Sequence, residues 1–390
     1  MRRFGIVLFA LLATACTSSP AQELPQQPST VPGETKLRVD VVAHGLEHGW
    51  DIGFLPDGRY LVTERPGRLA LIDPDGTVTN VGADLSDVYA KGEGGLMGLV
   101  LYPDFAQSRR FVTCQTHQEH GKAVDIRLVT WTLSADDRTA ARSGELLTGL
   151  PVNDSGRHSG CRPAIGADGA LLVGTGDTAR PTIAQDRHSL GGKVLRIDLR
   201  TGKALPDNPF ITSADPNEQR ISSYGHRNVQ GITVRPGSGQ VFTAEHGPTF
   251  DDEINLNQAG GNYGWDPSRG GTNTTDYDES VSMTDTDRFP DAVRPLWTSG
   301  QITEAICGAA FLTGSQWGEL EGRLAVVALK GQKMLLFNVD ASGKITQVTL
   351  PPEFNDTFGR LRAVRSAPDG SLFVTTSDGS DDKLLKITPA

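Results

Sequence analysis

Residues 54–63 have the sequence Phe-Leu-Pro-Asp-Gly-Arg-Tyr-Leu-Val-Thr, in which an Asp-Gly turn signal is followed by an apolar strand. The same order recurs in Ile-Gly-Ala-Asp-Gly-Ala-Leu-Leu-Val-Gly at residues 165–174 and in Ser-Ala-Pro-Asp-Gly-Ser-Leu-Phe-Val-Thr at residues 366–375. Weaker copies begin near residues 101, 234 and 318, so the chain contains about six such units. Repeated units of this size bury their apolar faces against neighbouring copies. The sequence therefore predicts an all-β fold, a six-bladed β-propeller of four-stranded blades.

A pair of β-sandwiches is the alternative fold for a chain with many short strands. That fold needs a linker between its domains, and no stretch between residues 37 and 389 has the composition of a linker. We therefore predict one propeller domain over residues 37–390. The inner strands of its blades would converge on one mouth, where groups distant in sequence can meet.

The first residues resemble an export signal. Arg2 and Arg3 precede a short apolar run, and small residues at positions 13–15 precede Cys16. This pattern predicts a signal peptide with a lipobox over residues 1–16, lipidation of Cys16, and a flexible linker over residues 17–36. The alternative is a plain secretory signal with an incidental Cys16. The protein is expected to be exported and lipid-anchored to the extracytoplasmic face of the cell membrane.

The net charge of the chain narrows the classes of possible partner. A formal net charge of −10 argues against nucleic acid or an anionic membrane surface as the main partner, so we expect membrane contact only through the lipid anchor.

With Cys16 lipidated, three cysteines are left for disulfide formation, which are Cys114, Cys161 and Cys307. An oxidising compartment permits one disulfide among these three, and the sequence leaves all three pairings open.

The densest group of polar motifs lies between residues 224 and 265. It contains Tyr-Gly-His-Arg-Asn-Val-Gln-Gly at 224–231, Glu-His-Gly-Pro at 245–248, Asp-Asp-Glu-Ile-Asn at 251–255 and Gly-Gly-Asn-Tyr-Gly-Trp at 260–265. In this order the motifs resemble those of soluble sugar dehydrogenases that depend on pyrroloquinoline quinone (PQQ), the glucose/sorbosone and aldose dehydrogenase group. The resemblance implies PQQ and Ca²⁺ as cofactors, an aldose sugar or related alcohol as substrate, and an electron acceptor that the sequence does not identify.

His158 and Asp177 are the predicted catalytic pair. His158 directly precedes one repeat unit and should lie near one end of an inner strand, and Asp177 follows the strand of the same unit. A histidine there can take a proton from a substrate hydroxyl, and a carboxylate can orient its ring. The resemblance assigns the catalytic base to His158. The alternative for Asp177 is a turn that ends the strand.

A cationic set is predicted to bind the cofactor. PQQ carries three carboxylates, which suit the forked guanidinium of arginine and the point charge of lysine. The resemblance implies this role for five residues, which are Arg227, Asn228, Lys330, Arg360 and Arg362. For an isolated arginine, a solvated surface position would be the simpler interpretation.

Two calcium positions follow from the resemblance. The carbonyls of Gly247 and Pro248 would hold the Ca²⁺ that also binds the quinone. Glu253 and the carbonyl of Tyr263 would form a second, structural Ca²⁺ site. A solvated acidic turn at residues 251–253 is the alternative, because this stretch lacks the spacing of an EF-hand loop.

Four residues depart from the family pattern near the mouth, one of them Val229, which replaces the proline of the family's Gly-His-Arg-Asn-Pro-Gln-Gly motif. Glu93 stands where the family usually has glutamine, and a carboxylate there should repel the cofactor unless it is protonated or paired. Cys161 replaces a glycine and is expected to bring its side chain close to the cofactor plane. Arg157, directly before His158, replaces a residue that is often acidic or polar.

Three functions from different classes therefore remain open at the level of sequence. The first is a PQQ- and Ca²⁺-dependent dehydrogenase of aldose sugars or related alcohols. The second is a non-catalytic, envelope-anchored propeller that binds a glycan or a protein partner. The third is a Ca²⁺-dependent hydrolase of the lactonase kind, in which the metal activates water.

Overall fold

The computed structural model describes residues 30–32, 36–273 and 275–390. The predicted signal peptide, Cys16 and most of the predicted linker lie outside the described residues. Strand β1 (Thr30–Pro32) comes first in the described chain, followed by β2 (Leu37–Leu46). Among the described residues, no helix has the length and apolar character needed to cross a membrane.

Six antiparallel sheets of four strands form the six blades of a β-propeller, as predicted. Blade 1 contains β3 (Gly49–Phe54), β4 (Tyr60–Glu64), β5 (Arg68–Ile72) and β6 (Val78–Val81). Blade 2 contains β7 (Leu96–Leu101), β8 (Arg110–Glu119), β9 (Lys122–Leu133) and β10 (Ala140–Leu150). Blade 3 contains β11 (Arg162–Ile165), β12 (Leu171–Gly174), β13 (Lys193–Ile197) and β14 (Ile221–Tyr224).

Blades 4 to 6 follow the same plan. Blade 4 contains β15 (Val229–Val234), β16 (Val241–Glu245), β17 (Glu253–Leu256) and β18 (Trp297–Thr298). Blade 5 contains β19 (Ile306–Phe311), β20 (Leu324–Ala328), β21 (Met334–Val339) and β22 (Ile345–Leu350). Blade 6 contains β23 (Leu361–Ser366), β24 (Leu372–Thr376) and β25 (Asp382–Pro389), and its fourth strand is β2. Short helices occur at α1 (Phe105–Ser108) and α2 (Pro216–Gln219), with 3₁₀ turns at Ser315–Leu320 and Pro352–Phe354.

Each of the six sequence repeats coincides with the turn between the first and second strand of one blade. In the three strong copies the glycine after the aspartate has a positive φ, 89° at Gly58, 83° at Gly169 and 80° at Gly370. Glycine adopts this conformation without steric cost, which explains why the Asp-Gly pair marks these turns.

The ring is closed by the beginning of the domain. β2 pairs with β25 and becomes the outermost strand of blade 6, so the last blade combines both ends of the chain. β1, which falls within the predicted linker, pairs in parallel with β22 and adds a fifth strand to blade 5. The apolar side chains lie between adjacent blades, where Leu, Val, Ile and Phe residues are fully buried.

One disulfide joins two blades. Cys114 of β8 is bonded to Cys161, which directly precedes β11, and Cys307 is buried and free. The structure thus selects one of the three pairings that the sequence left open. Cys161 is fully buried in the core between blades 2 and 3, and its distance from a bound cofactor stays a prediction.

Candidate active site

A histidine–aspartate pair lies at the end of the propeller where the first strands of the blades begin. His158 precedes β11, and Asp177 lies just beyond the end of β12, so the antiparallel pairing of these strands brings the two residues together. His158 Nδ1 is 2.8 Å from Asp177 Oδ1. Both residues are buried, and the exposed fraction of the His158 side chain is 4%.

Asp177 accepts hydrogen bonds on both carboxylate oxygens. Oδ1 also accepts from the Ala179 amide at 2.8 Å, while Oδ2 accepts from the Trp265 indole at 2.7 Å and the Tyr277 hydroxyl at 2.6 Å. Burial by itself opposes the charge, but His158, the charge of Arg227 and the Tyr277 hydrogen bond outweigh it and lower the pKa of Asp177. The carboxylate is therefore ionised, and His158 Nδ1 must carry a proton to donate to it.

Arg227 stands next to this pair and shares a carboxylate with Arg157. Arg227 is buried, donates from Nη1 to the His246 carbonyl at 3.0 Å and from Nη2 to Glu279 at 2.6 Å. Arg157 is exposed and donates to the same Glu279 oxygen at 3.0 Å. Two guanidinium groups thus share one carboxylate, and the buried Nε of Arg227 has no partner among the described residues.

Glu93 is held by two amides rather than by an arginine. Its Oε2 accepts from Asn228 Nδ2 at 2.8 Å and from Gln230 Nε2 at 2.7 Å. Burial acts to raise the pKa of Glu93, but the neighbouring histidines, above all His158, and the Asn228 hydrogen bond lower it overall. The carboxylate is consequently charged, and its hydrogen-bond partners are these two amides. Arg362 joins the same hydrogen-bond network by donating to Gln230 Oε1.

These residues surround a cleft of about 350 Å³ at the mouth, which is lined by Arg65, Gly92, Glu93, Arg157, Gln230, His246, Ala305, Leu329, Arg360 and Arg362. Burial lowers the pKa of Arg362 to about 10, and the positive charges of Arg162 and Arg65 act in the same direction. Within the described chain, Arg362 Nε and His246 Nε2 are buried without a hydrogen-bond partner. The cleft is therefore crowded with positive charge and has unused donors, which suits an anionic ligand.

The structure brings most of the predicted site residues together. Glu93, Arg360 and Arg362 line the cleft, Asn228 contacts Glu93, and Arg227 lies beside His246. Lys330 is placed differently, because its side chain is exposed beyond Leu329 and is not part of the cleft wall. Its role and those of the other predicted ligands stay predictions.

Sequence reasoning missed several residues of this site. Arg65 and His246 line the cleft, and each directly follows the second strand of its blade, β4 and β16 respectively. That position in the repeat is the signal that could have identified them. Tyr277 and Glu279 were missed as well, and they lie in the long connection between β17 and β18, which has no periodic pattern.

The first predicted calcium position lies in a tight turn behind the cleft. A Cβ on Gly247 would lie 1.9 Å from the Phe250 carbonyl, and the Gly247 amide donates to the buried Asp252 carboxylate at 2.8 Å. Carbonyl oxygens such as those of Gly247 and Pro248 are ligands that a hard cation accepts, and their role here stays a prediction.

The second predicted calcium position contains two buried carboxylates. Glu253 and Glu245 are directly opposite each other on β17 and β16. Burial and the charge of Glu245 raise the pKa of Glu253 to about 8. The Asn255 amide oxygen is buried without a donor in the described part of the chain. No group of three or more His, Cys, Asp or Glu side chains in metal-binding geometry occurs among the described residues, so this second calcium position stays a prediction.

The fold and the site together define a propeller with a histidine–aspartate pair beside a cationic cleft. The family model for glucose/sorbosone dehydrogenases matches residues 46–386. The chain is 33% identical over 394 residues to the protein named aldose sugar dehydrogenase YliI of Escherichia coli (strain K12), with 98% of each chain covered. The protein therefore belongs to the glucose/sorbosone dehydrogenase family, and it is an oxidoreductase by family, as the motifs predicted.

Solved structures agree with this assignment. The apo form of soluble aldose sugar dehydrogenase from Escherichia coli is 32% identical, with a TM-score of 0.78 over 91% of this chain and 100% of that chain. The PQQ-bound form of aldose sugar dehydrogenase from Streptomyces coelicolor is 28% identical, with a TM-score of 0.72 over 92% and 99% of the two chains.

Proposed function

We propose that this protein is a PQQ-dependent dehydrogenase that oxidises aldose sugars or related alcohols. The observation that carries the proposal is the position of a buried His158–Asp177 pair beside a cleft with excess positive charge. The His158–Asp177 pair suits removal of a proton from a hydroxyl, and the positively charged cleft suits a quinone with three carboxylates. The PQQ-bound structure of a relative supports the choice of cofactor.

The side chains of the cleft fit the cofactor. Within the residues that the structure describes, Nε of Arg227, Nε of Arg362 and Nε2 of His246 are buried without a partner, and a polar ligand would satisfy them. Arg360 and Arg65 would add charge from the cleft wall. When bound, PQQ supplies the two-electron acceptor that receives the hydride from the substrate carbon.

His158 supplies the acid–base chemistry in this proposal. Because its Nδ1 proton is donated to Asp177, the free lone pair of the ring is on Nε2. Nε2 takes the proton of the substrate hydroxyl as the C–H bond breaks, and the ring becomes an imidazolium. The ionised Asp177 stabilises that charge and holds the orientation of the ring.

Titration of the purified protein with PQQ in the presence of Ca²⁺, followed by absorbance and by dye reduction with aldoses, tests this function. We expect saturable PQQ binding at micromolar concentration and dye reduction that depends on the sugar. If PQQ does not bind, the dehydrogenase proposal fails and a propeller that binds a glycan or protein takes its place. Sugar-lactone hydrolysis without dye reduction would instead indicate the lactonase.

We also propose that Ca²⁺ binds at two positions. The Gly247 and Pro248 carbonyls would hold one ion near the cofactor, and Glu253 with the Tyr263 carbonyl would hold the other. Ca²⁺ should raise the melting temperature of metal-stripped protein, because a ligand that binds only the folded state stabilises it. Glu253→Gln should remove part of this increase. An unchanged melting temperature in wild type would contradict both positions.

We further propose export and lipid anchoring through Cys16. The Cys114–Cys161 disulfide supports an oxidising compartment outside the cytoplasm. Metabolic labelling with a fatty-acid analogue should depend on Cys16, and Cys16→Ala should release the protein from membranes, whereas the matched variant Cys307→Ala should keep the label. Labelling that survives Cys16→Ala contradicts the anchor.

A further inference from the structure

The connection between β17 and β18 contacts the His158–Asp177 pair. It brings the hydroxyl of Tyr277 to 2.6 Å from Asp177 Oδ2 and 3.3 Å from His158 Nδ1. The Tyr277 ring lies 5.9 Å from the His158 ring and 6.1 Å from the Trp265 ring, measured between centroids. Tyr277 is therefore in contact with both members of the pair and with a second donor to the carboxylate.

Two ion pairs hold this part of the connection in place. Glu279, two residues after Tyr277, bridges Arg227 and Arg157 at 2.6 and 3.0 Å. The Arg157 guanidinium also lies 5.8 Å from the centre of the Tyr277 ring, within the range of a cation–π contact. The segment is thus tied to Arg157, which directly precedes His158. It is also tied to Arg227, whose carbonyl accepts a hydrogen bond from the Asp177 amide.

Tyr277 completes the hydrogen bonding of Asp177. A carboxylate has about four lone-pair positions, and Asp177 receives four donors, two on each oxygen, from His158, Ala179, Trp265 and Tyr277. Burial and the charge of Asp177 raise the pKa of Tyr277, so its hydroxyl keeps the proton that it donates. A carboxylate saturated in this way cannot rotate without losing a hydrogen bond.

We propose that Tyr277 is a positioning residue for the base, because its hydroxyl fixes the Asp177 carboxylate that orients His158. This inference rests on the proposed function, in which His158 is the base. Tyr277 itself makes no contact with the reacting atoms in this arrangement. It keeps Nδ1 protonated and Nε2 directed to the substrate, and it limits how strongly Asp177 attracts the Nδ1 proton.

Tyr277→Phe tests the role, with Tyr60→Phe as the matched control. Tyr60 is also half-buried and packs its ring against Phe54 and Phe373, at the end of β3 away from the mouth. The first readout is the Nδ1 proton resonance of His158 in protein without cofactor. Loss of the Tyr277 hydroxyl leaves Asp177 a stronger acceptor, so we expect the resonance to move downfield in Tyr277→Phe and to stay unchanged in Tyr60→Phe.

The second readout separates positioning from folding. In Tyr277→Phe we expect kcat to fall about tenfold with little change in KM, and the acid limb of the kcat/KM profile to move to higher pH. A resonance and pH profile that coincide with those of wild type overturn the inference. If Tyr277→Phe does not fold, 3-fluorotyrosine at position 277 replaces it, because this stronger donor should move the resonance upfield. An unmoved resonance with that residue also overturns the inference.

The two proposals fail in different ways. Absence of sugar oxidation by the wild-type protein would defeat the proposed function and, with it, the role of Tyr277. Sugar oxidation by wild type together with an unmoved Nδ1 resonance in Tyr277→Phe would overturn the role of Tyr277 alone.

Discussion

Glu93 places a carboxylate in the wall of the cationic cleft. Its ionised carboxylate is half-buried, accepts from Asn228 and Gln230, and would face an anionic cofactor. Glu93→Gln removes one negative charge, so PQQ should bind about fivefold more tightly, the effect of about 1 kcal/mol from one charge in a partly hydrated site. Absorbance titration measures the change. Glu319→Gln, on an exposed position of the Ser315–Leu320 turn, is the control and should leave the affinity unchanged.

Replacement of His158 should lower turnover, whereas replacement of Arg362 should lower the affinity for PQQ. His158→Ala removes the base and should lower turnover by about two to four orders of magnitude, while PQQ affinity stays close to that of wild type. Arg362→Ala should mainly weaken PQQ binding, by about 1.5 to 3 kcal/mol for one charge-assisted contact. Absorbance titration and dye reduction measured on the same samples separate the two effects. Equal losses of affinity in both variants would contradict the assigned roles.

At the scale of elements, local turn chemistry explains what the sequence could predict. Asp57-Gly58 and its two strong counterparts each end a first strand and begin a second one, and this requires only a positive φ at glycine and an apolar strand after it. The positions of His158 before β11 and Asp177 after β12 follow from the same register. The repeat therefore accounts for where the two residues lie in the blade, whereas the assignment of His158 as the base came from the family resemblance.

Other parts of the site have no local signal. Tyr277 is 100 residues from Asp177 and lies in a connection without helical or strand periodicity, so nothing in the sequence indicates which of its side chains reaches the pair. The Cys114–Cys161 pairing likewise depends on how blades 2 and 3 pack. Contacts of this kind are set by the closed ring and not by neighbouring residues.

The disulfide between blades 2 and 3 should contribute strongly to stability. It closes a loop with a sequence separation of 47, and restricting such a loop in the unfolded chain stabilises the fold by about 2 to 4 kcal/mol. Urea denaturation of Cys114→Ala/Cys161→Ala should show this loss in the free energy of unfolding. Cys307→Ala keeps the disulfide and serves as the control. Equal stabilities of wild type and the double variant in oxidising buffer would contradict the prediction.

At the scale of the whole molecule, an ionic network lies where the blades meet. The buried Asp51 of blade 1 pairs with Arg162 of blade 3 at 3.0 Å and with Arg365 of blade 6 at 2.7 Å. Arg162 also donates to the Gln230 carbonyl of blade 4 at 2.9 Å. Arg365 lines a second cavity, of about 510 Å³, at the opposite end of the inner strands. The network therefore ties four blades together.

This network should make the stability of the propeller depend on pH. Burial acts to raise the pKa of Asp51, but the charges of Arg162 and Arg365 lower it below the ordinary value of 3.8. A lowered pKa in the folded state means that the stabilisation is complete above about pH 3.8 and is lost as the pH falls through the folded-state value. The free energy of unfolding of wild type should therefore decrease below about pH 4.

Asp51→Asn isolates this contribution. At pH 7 the variant should be less stable by about 3 to 5 kcal/mol, because it leaves the buried Arg162 and the half-buried Arg365 without their carboxylate. Below about pH 4 its free energy of unfolding should fall less steeply than that of wild type, since the group that titrates is gone. Urea denaturation from pH 3 to 7 measures both effects, with Asp287→Asn at an exposed loop position as the control. Parallel curves for wild type and Asp51→Asn would show that the pH dependence comes from other carboxylates and not from the network that joins the blades.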